Sequence, residues 1–270
     1  MTDAQSSAPA NRYAFEHAGE PASDRFDALA ALYDETTTRH LKARGVGPGW
    51  RCLDVGAGGG SIARWLSEEV GPTGYVLATD LNTDYLERLQ GGNLDVQRHN
   101  IVDDRLPEAA FDLAHTRLVL VHLPDREAVL QRLIAALKPG GWLVLEEFDA
   151  RSMLPDASVN PAETGTPLVL AIQQVLTNHG ADTRCGRLLP GRLRANGMQD
   201  VDAEGRVLLW QGGSVGAGMQ RTNARHMRAE IIDSGLMTAD EFERELARLD
   251  DPSFMAPSPI MWTVWGRRPA

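Results

Sequence analysis

Cysteine is almost absent from this chain. Cys52 and Cys185 are the two thiols in 270 residues, and neither has metal-ligand spacing. That excludes a cysteine-built metal site and points to a reduced, cytoplasmic setting. Positive charge is also short: 27 Lys and Arg face 37 Asp and Glu, a formal net charge of -10 with a pI near 5.2. Nucleic-acid binding needs basic surface to neutralise phosphates, so no nucleic-acid partner is expected. Apolar runs stop short of the roughly 20 residues that cross a bilayer, and no membrane partner is expected. The first ten residues have neither the basic nor the apolar region of a signal peptide and read as a disordered tail.

The length suffices to bury a substantial core, and fits one α/β unit with additions better than two independent domains. Its organising stretch is Arg51-Cys-Leu-Asp-Val-Gly-Ala-Gly-Gly-Gly-Ser-Ile-Ala-Arg-Trp-Leu66. Leu53 and Val55 read as a buried strand, Gly56 to Gly60 as a tight turn, and Ile62, Trp65 and Leu66 as one face of a helix. Strand, glycine turn and helix build the ligand site at the carboxyl end of the first strand in open α/β sheets. The spacing is Asp54-x-Gly56-x-Gly58-x-Gly60, which differs from the G-x-G-x-x-G form that brings a pyrophosphate onto a helix. A carboxylate at Asp54 repels a pyrophosphate but suits a ligand carrying an ammonium group. Gly74 to Asp80 reads as a second strand ending in an acid, near the offset at which such an acid binds ribose hydroxyls.

Together these features resemble the class I S-adenosylmethionine-dependent methyltransferases of the bacterial small-molecule type. Leu137-Lys-Pro-Gly-Gly141 ahead of the apolar strand Leu143 to Asp149 is a second point of likeness, and the resemblance covers roughly residues 46–150. It implies an α/β fold: a Rossmann-like, seven-stranded, mostly parallel sheet with an antiparallel last strand, helices on both faces, and N-terminal helical and lid additions. Residues 1–45 are then a tail and helical cap, residues 46–270 the methyltransferase domain, and residues 150–200 a lid-like insertion. The resemblance implies S-adenosylmethionine as cofactor and S-adenosylhomocysteine as product. Asp54, Gly56, Ala57, Gly58, Asp80, Leu81, Asn100, Ile101, Thr116 and Arg117 are the residues it assigns to the cofactor. Asn100 stands where Asp is commoner in the family, and an amide oxygen can still accept from the adenine amine.

The remaining expectations concern the acceptor, a small molecule of the secondary-metabolite kind, and the rest of the chain. Glu147, ahead of Asp149, is the candidate base at the carboxyl end of the fifth strand, and His122 is a second candidate. Tyr13, Asp149 and Arg221 are candidate substrate contacts, with Gln211 and His226 near the last. His99 reads as a surface residue at a strand end, and Trp210 and Trp262 as core. Helices are expected over Ser23–Arg44, Asn82–Leu89, Arg126–Leu137, Leu168–Leu176 and Ala217–Leu249, a sixth strand at Val207–Trp210 and a seventh at Met261–Gly266. A homodimer is the oligomer considered, with the N-terminal helix serving as a swapped or shared lid. Two rival readings are a nicotinamide-dependent oxidoreductase on a similar sheet and a non-catalytic scaffold that keeps the cofactor.

Overall fold

The computed structural model describes residues 20–153 and 166–270. Helix α1 (Glu20–Ala43) leads into strand β1 (Arg51–Val55), the glycine turn and helix α2 (Ser61–Val70). Strands β2 (Tyr75–Asp80), β3 (Leu94–Arg98) and β4 (Phe111–Arg117) follow, then helix α3 (Arg126–Ala136) and strand β5 (Leu137–Asp149). Beyond it come helices α4 (Thr166–Asn178) and α5 (Cys185–Ala195) and strands β6 (Gln199–Arg206) and β7 (Leu209–Gln211). Helices α6 (Val215–His226), α7 (Arg228–Asp233) and α8 (Ala239–Arg248) and strands β8 (Met255–Pro257) and β9 (Ile260–Arg267) complete the chain.

The main sheet has seven strands in the order β3-β2-β1-β4-β5-β9-β6. β1 to β5 pair in parallel, and β9 inserts antiparallel to both β5 and β6. This is the expected architecture, and it sets the carboxyl ends of β1, β2 and β4 side by side. Side chains alternate along each strand, so each face has its own core. Cys52, Val76, Ala78, Leu113 and Val144 pack with Ile62, Leu66 and Val70 of α2 and with Leu41 of α1. Leu53, Leu77, Ala114, Leu143 and Leu145 pack instead with Leu130 and Leu133 of α3 and Leu189 and Leu193 of α5.

The residues named for the sixth strand, Val207 to Trp210, belong elsewhere. The sixth strand is Gln199–Arg206, while Leu209–Gln211 pairs with Met255–Pro257 in a separate two-stranded sheet. The expected helix at Asn82–Leu89 is a series of turns ending in one 3₁₀ turn, Glu87–Leu89. Its start is diverted by local side-chain bonds: Asp80 accepts from the Asn82 N–H and Asn82 from the Asp84 N–H. The single span Ala217–Leu249 is three helices, with Gly235 (φ 71°) between α7 and α8. Helix α4 joins α6, α7 and α8 around Leu168, Ile172, Val175, Ile231, Phe242 and Leu246. This third cluster roofs the carboxyl edge of the sheet, whereas α5 lies in the sheet's own helical layer.

Candidate active site

The glycine turn closes on itself. Gly56 and Ala57 both donate to the Thr79 carbonyl (2.8 and 3.0 Å), Gly60 donates to the Ala57 carbonyl, and Gly58 donates to Asp80 Oδ2 at 2.9 Å. Four of its N–H groups are thus satisfied within the protein, which leaves little of the anion cradle that a pyrophosphate requires. Gly56 (φ 69°) and Gly58 (φ 54°) need both their left-handed backbone and their missing side chain. A Cβ at Gly56 would stand 2.3 Å from Val119 Cγ2, and one at Gly58 2.8 Å from Phe26 Cε1. Helix α1 therefore sits directly on the turn, and Phe26 in turn meets Tyr85 edge to face, ring centroids 5.4 Å apart.

A cavity of about 280 Å³ runs from this turn to the helical roof. Of the residues expected to hold a cofactor, Asp54, Gly56, Ala57, Gly58, Asp80, Leu81, Asn100, Ile101 and Arg117 line it. Thr116 does not: it is fully buried on the opposite face from His115, as strand alternation dictates. Arg117 is fixed by Asp34 of α1 at 2.9 Å and by the Thr37 hydroxyl at 3.1 Å. Asn100 caps its own turn, its amide oxygen accepting from the Val102 N–H and its amide nitrogen donating to Asp103 Oδ2.

Behind the cavity a polar ladder crosses one face of the sheet. His115 Nδ1 lies 2.8 Å from Asp54 Oδ1 and its Nε2 lies 3.4 Å from Glu146 Oε2. Glu146 also accepts from the Thr37 hydroxyl of α1 at 2.5 Å and the Thr263 hydroxyl of β9 at 2.7 Å. Burial opposes charge on His115, but the hydrogen bonds to Asp54 and Glu146 overcome it and raise the imidazolium to about 9. Burial likewise opposes ionisation of Glu146, yet His115 and the Thr37 hydroxyl hold it down at about 2. The cavity acid Asp54 is therefore already paired with a buried cation.

Glu147 does not reach the cavity. It is fully buried on the other face, and its carboxyl oxygens accept from the N–H groups of Val119, Leu120 and Val121 at 3.0, 2.7 and 3.2 Å. Those donors belong to the segment after β4, which includes the 3₁₀ turn Leu120–His122, so Glu147 is a positioning residue for the wall that Leu118 and Val119 present. Burial pushes its carboxyl up to about 8 against the pull of the three donors. Asp149 also misses the cavity and binds Arg187 Nε of α5 at 2.5 Å. Arg221 turns away to pair with Asp250, Gln211 is exposed, and His226 lies on the exposed side of α6. Tyr13 lies outside the described residues. His122 does line the cavity.

Sequence reasoning missed several lining residues. His99 is 4% exposed and lines the cavity, so it is no surface residue. Trp210 lines it as well, with its indole set against Gly216, where a Cβ would come within 2.2 Å of Nε1. The roof contributes Ile172, Gln173, Met219, Gln220 and Asn223, residues whose type carries no motif. The spacing of Met219, Gln220 and Asn223, one helical turn apart, was the available signal.

With this geometry in place, the chain is placed in the methyltransferase domain family, whose model matches residues 17–230. The chain belongs to that family. Among curated relatives, "Methyltransferase str2" of Strobilurus tenacellus is 39% identical over 46% of this chain and 45% of its own length. The chain thus spans about half the length of the curated relatives it matches. Among solved structures, Haemonchus contortus phosphoethanolamine N-methyltransferase 2, in complex with phosphomonomethylethanolamine and S-adenosylhomocysteine, matches with a TM-score of 0.58 at 14% identity. That match covers 93% of this chain and 58% of the other. The [4+2]-cyclase SpnF matches with a TM-score of 0.52 at 18% identity, over 87% of this chain and 80% of that one. At these identities the structural likenesses speak for the fold.

The residues present fit the family's sulfonium cofactor. The self-closed glycine turn suits a ligand without phosphates, and Asp80 at the end of β2 brings a carboxylate, and Leu81 and Ile101 apolar surface, to the cavity. Among the described residues no cluster of His, Cys, Asp and Glu suits a metal ion, and no helix is long and apolar enough to cross a membrane.

Proposed function

We propose that this protein transfers a methyl group from S-adenosylmethionine to a small, largely apolar acceptor of the secondary-metabolite kind. The observation that carries this reading is the continuity of the cavity, from Asp80 and the glycine turn past Leu118 and Val119 to the roof helices α4 and α6. The sulfonium supplies an activated methyl group, so the chain's task is alignment and exclusion of water. Asp80 holds the ribose, and Leu81 and Ile101 flank the purine. The backbone of residues 118–121, braced by Glu147, forms the wall beside the reacting centre.

The acceptor lies between Phe148, Ile172, Trp210 and Met219, with the amides of Gln173, Gln220 and Asn223 for its polar groups. Such a lining favours an uncharged ring system. His122 is the side chain we assign to take the proton of an acceptor hydroxyl or carbon acid. The closed glycine turn and Asp54 disfavour a nicotinamide dinucleotide. The test is production of S-adenosylhomocysteine from S-adenosylmethionine against a panel of phenols, amines and activated carbon acids. Turnover with uncharged ring acceptors supports the reading. Tight cofactor binding without turnover on any acceptor would favour the scaffold.

A further inference from the structure

Gln173 of α4 lines the cavity with its side-chain amide already oriented. The residue is 7% exposed, and its Nε2 donates to the Ala150 carbonyl at 2.7 Å. Ala150 is itself held just past the end of β5, its N–H donating to the Thr183 carbonyl at 2.9 Å. One turn further along α4, the Thr177 hydroxyl donates to the Gln173 backbone carbonyl at 2.7 Å. With the amide nitrogen committed, the oxygen takes the other branch of the planar group, and among the described residues no group donates to it. Unlike Asn223 Oδ1 and Trp210 Nε1, which are sealed in the roof, that oxygen is open to the cavity.

The surroundings make this one oxygen discriminating. Phe148, Ile172, Trp210 and Met219 give the acceptor end of the cavity an apolar lining. A ligand atom set against the oxygen displaces its water, and an O–H or N–H makes good that loss. An ether or ketone oxygen there would set lone pair against lone pair, and a C–H would leave the amide oxygen dry and unpaired. A site built around one hydrogen bond rejects an analogue lacking it far more sharply than an apolar pocket rejects a change of size. Folding has already fixed the amide, so binding need not order it. Gln220 also lines the cavity, but among the described residues nothing fixes its side-chain amide, which can turn either end to a ligand.

We infer that Gln173 sets the class of acceptor, its side-chain oxygen accepting a hydrogen bond from a hydroxyl or N–H carried by an otherwise apolar ring. Ethers, ketones and plain hydrocarbons of the same outline are disfavoured. This deepens the acceptor reading above and rests on it. No proton passes to the amide, so Gln173 determines specificity and leaves the methyl transfer to the groups already named.

The experiment is titration of the full chain, saturated with S-adenosylhomocysteine, with 2-naphthol and with naphthalene, which has hydrogen in place of the hydroxyl. The wild type should bind naphthalene about tenfold more weakly, the effect of one buried hydrogen bond. The preference should vanish in Gln173→Leu and survive in Gln174→Ala, which removes the neighbouring exposed amide. A second readout on the wild type alone covers the case in which the leucine variant does not fold. The ¹³C resonance of the Gln173 side-chain carbonyl should shift with 2-naphthol and much less with naphthalene. Equal affinity of the wild type for the two rings, an equal carbonyl shift with both, or a preference retained in Gln173→Leu overturns the assignment while leaving the acceptor reading intact. Binding of neither ring overturns both.

Discussion

Asp54 and His115 face each other across neighbouring strands, Oδ1 to Nδ1 at 2.8 Å, with both side chains almost fully buried. The register of β1 on β4 places them directly opposite, and Glu146 of β5 closes the far side of the imidazole. The acid of the glycine turn is thereby tied, through His115 and Glu146, to Thr37 of α1 and Thr263 of β9. The floor of the cavity and the helix that covers it share one set of buried polar groups.

Removing the cation from this ladder leaves two buried carboxylates unpaired. His115→Leu should destabilise the protein by about 3–5 kcal/mol, measured by urea denaturation at neutral pH. It should also weaken binding of S-adenosylhomocysteine, because Asp54 and α1 lose their common anchor. A loss below about 1 kcal/mol would mean that the ladder is not held as described.

The same groups set how stability varies with pH. His115 is raised to about 9 in the folded protein, so its contribution is complete below the ordinary histidine value near 6.5 and is lost as pH rises through 9. Glu147, raised to about 8, keeps its proton in the folded state where the unfolded chain has released it, and so also lowers stability as pH rises toward 8. Glu146 is held down at about 2, so its contribution is present above about 4.5 and is lost on acidification toward 2. Urea midpoints should therefore fall between pH 6 and pH 9, and this fall should shrink in His115→Leu. A midpoint rising over that range would oppose the account.

Glu147 separates a positioning role from a catalytic one. In Glu147→Gln the amide oxygen replaces one acceptor, but the amide nitrogen faces a backbone N–H it cannot bind. The expected cost is about 1–3 kcal/mol of stability. KM should rise more than kcat falls, and the pH profile of kcat should keep its shape. Loss of the acidic limb of that profile with unchanged stability would return Glu147 to the role of proton acceptor.

The glycine turn offers an internal comparison. Gly56→Ala meets a left-handed φ and places its Cβ against Val119. Gly71→Ala meets a similar φ of 63° but has nothing within 4 Å. Thermal melts should show roughly 1–2 kcal/mol of backbone strain in Gly71→Ala. Gly56→Ala should lose more, along with S-adenosylhomocysteine binding, since the wall at residues 118–121 must move. Equal losses in the two variants would argue against tight contact between turn and wall.

What was legible in the sequence was local. The β1–turn–α2 unit, Asp80 at the end of β2, and the apolar runs of β4 and β5 announce themselves through period and turn chemistry. β6 did not, because Gln199–Arg206 is an edge strand paired on one side and has no apolar run to mark it. The nearby apolar residues Val207 to Trp210 drew the assignment instead, though Trp210 serves the cavity wall. Glu147 stands in the sequence as an acid at the end of an apolar strand, and the three N–H groups that converge on it from another segment leave no trace in a linear pattern. His99 looked like solvent-facing polarity, since its burial depends on how the ends of β2 and β3 meet the cavity.

The central claim is tested most directly by calorimetric titration of wild type and Asp80→Ala with S-adenosylmethionine, S-adenosylhomocysteine and NAD(H). The account predicts that the wild type binds the first two and not NAD(H). Asp80→Ala should bind both at least tenfold more weakly while keeping its fold, as expected when a charged acceptor is lost. Binding of NAD(H) alone, or an Asp80→Ala variant with undiminished affinity, would contradict it.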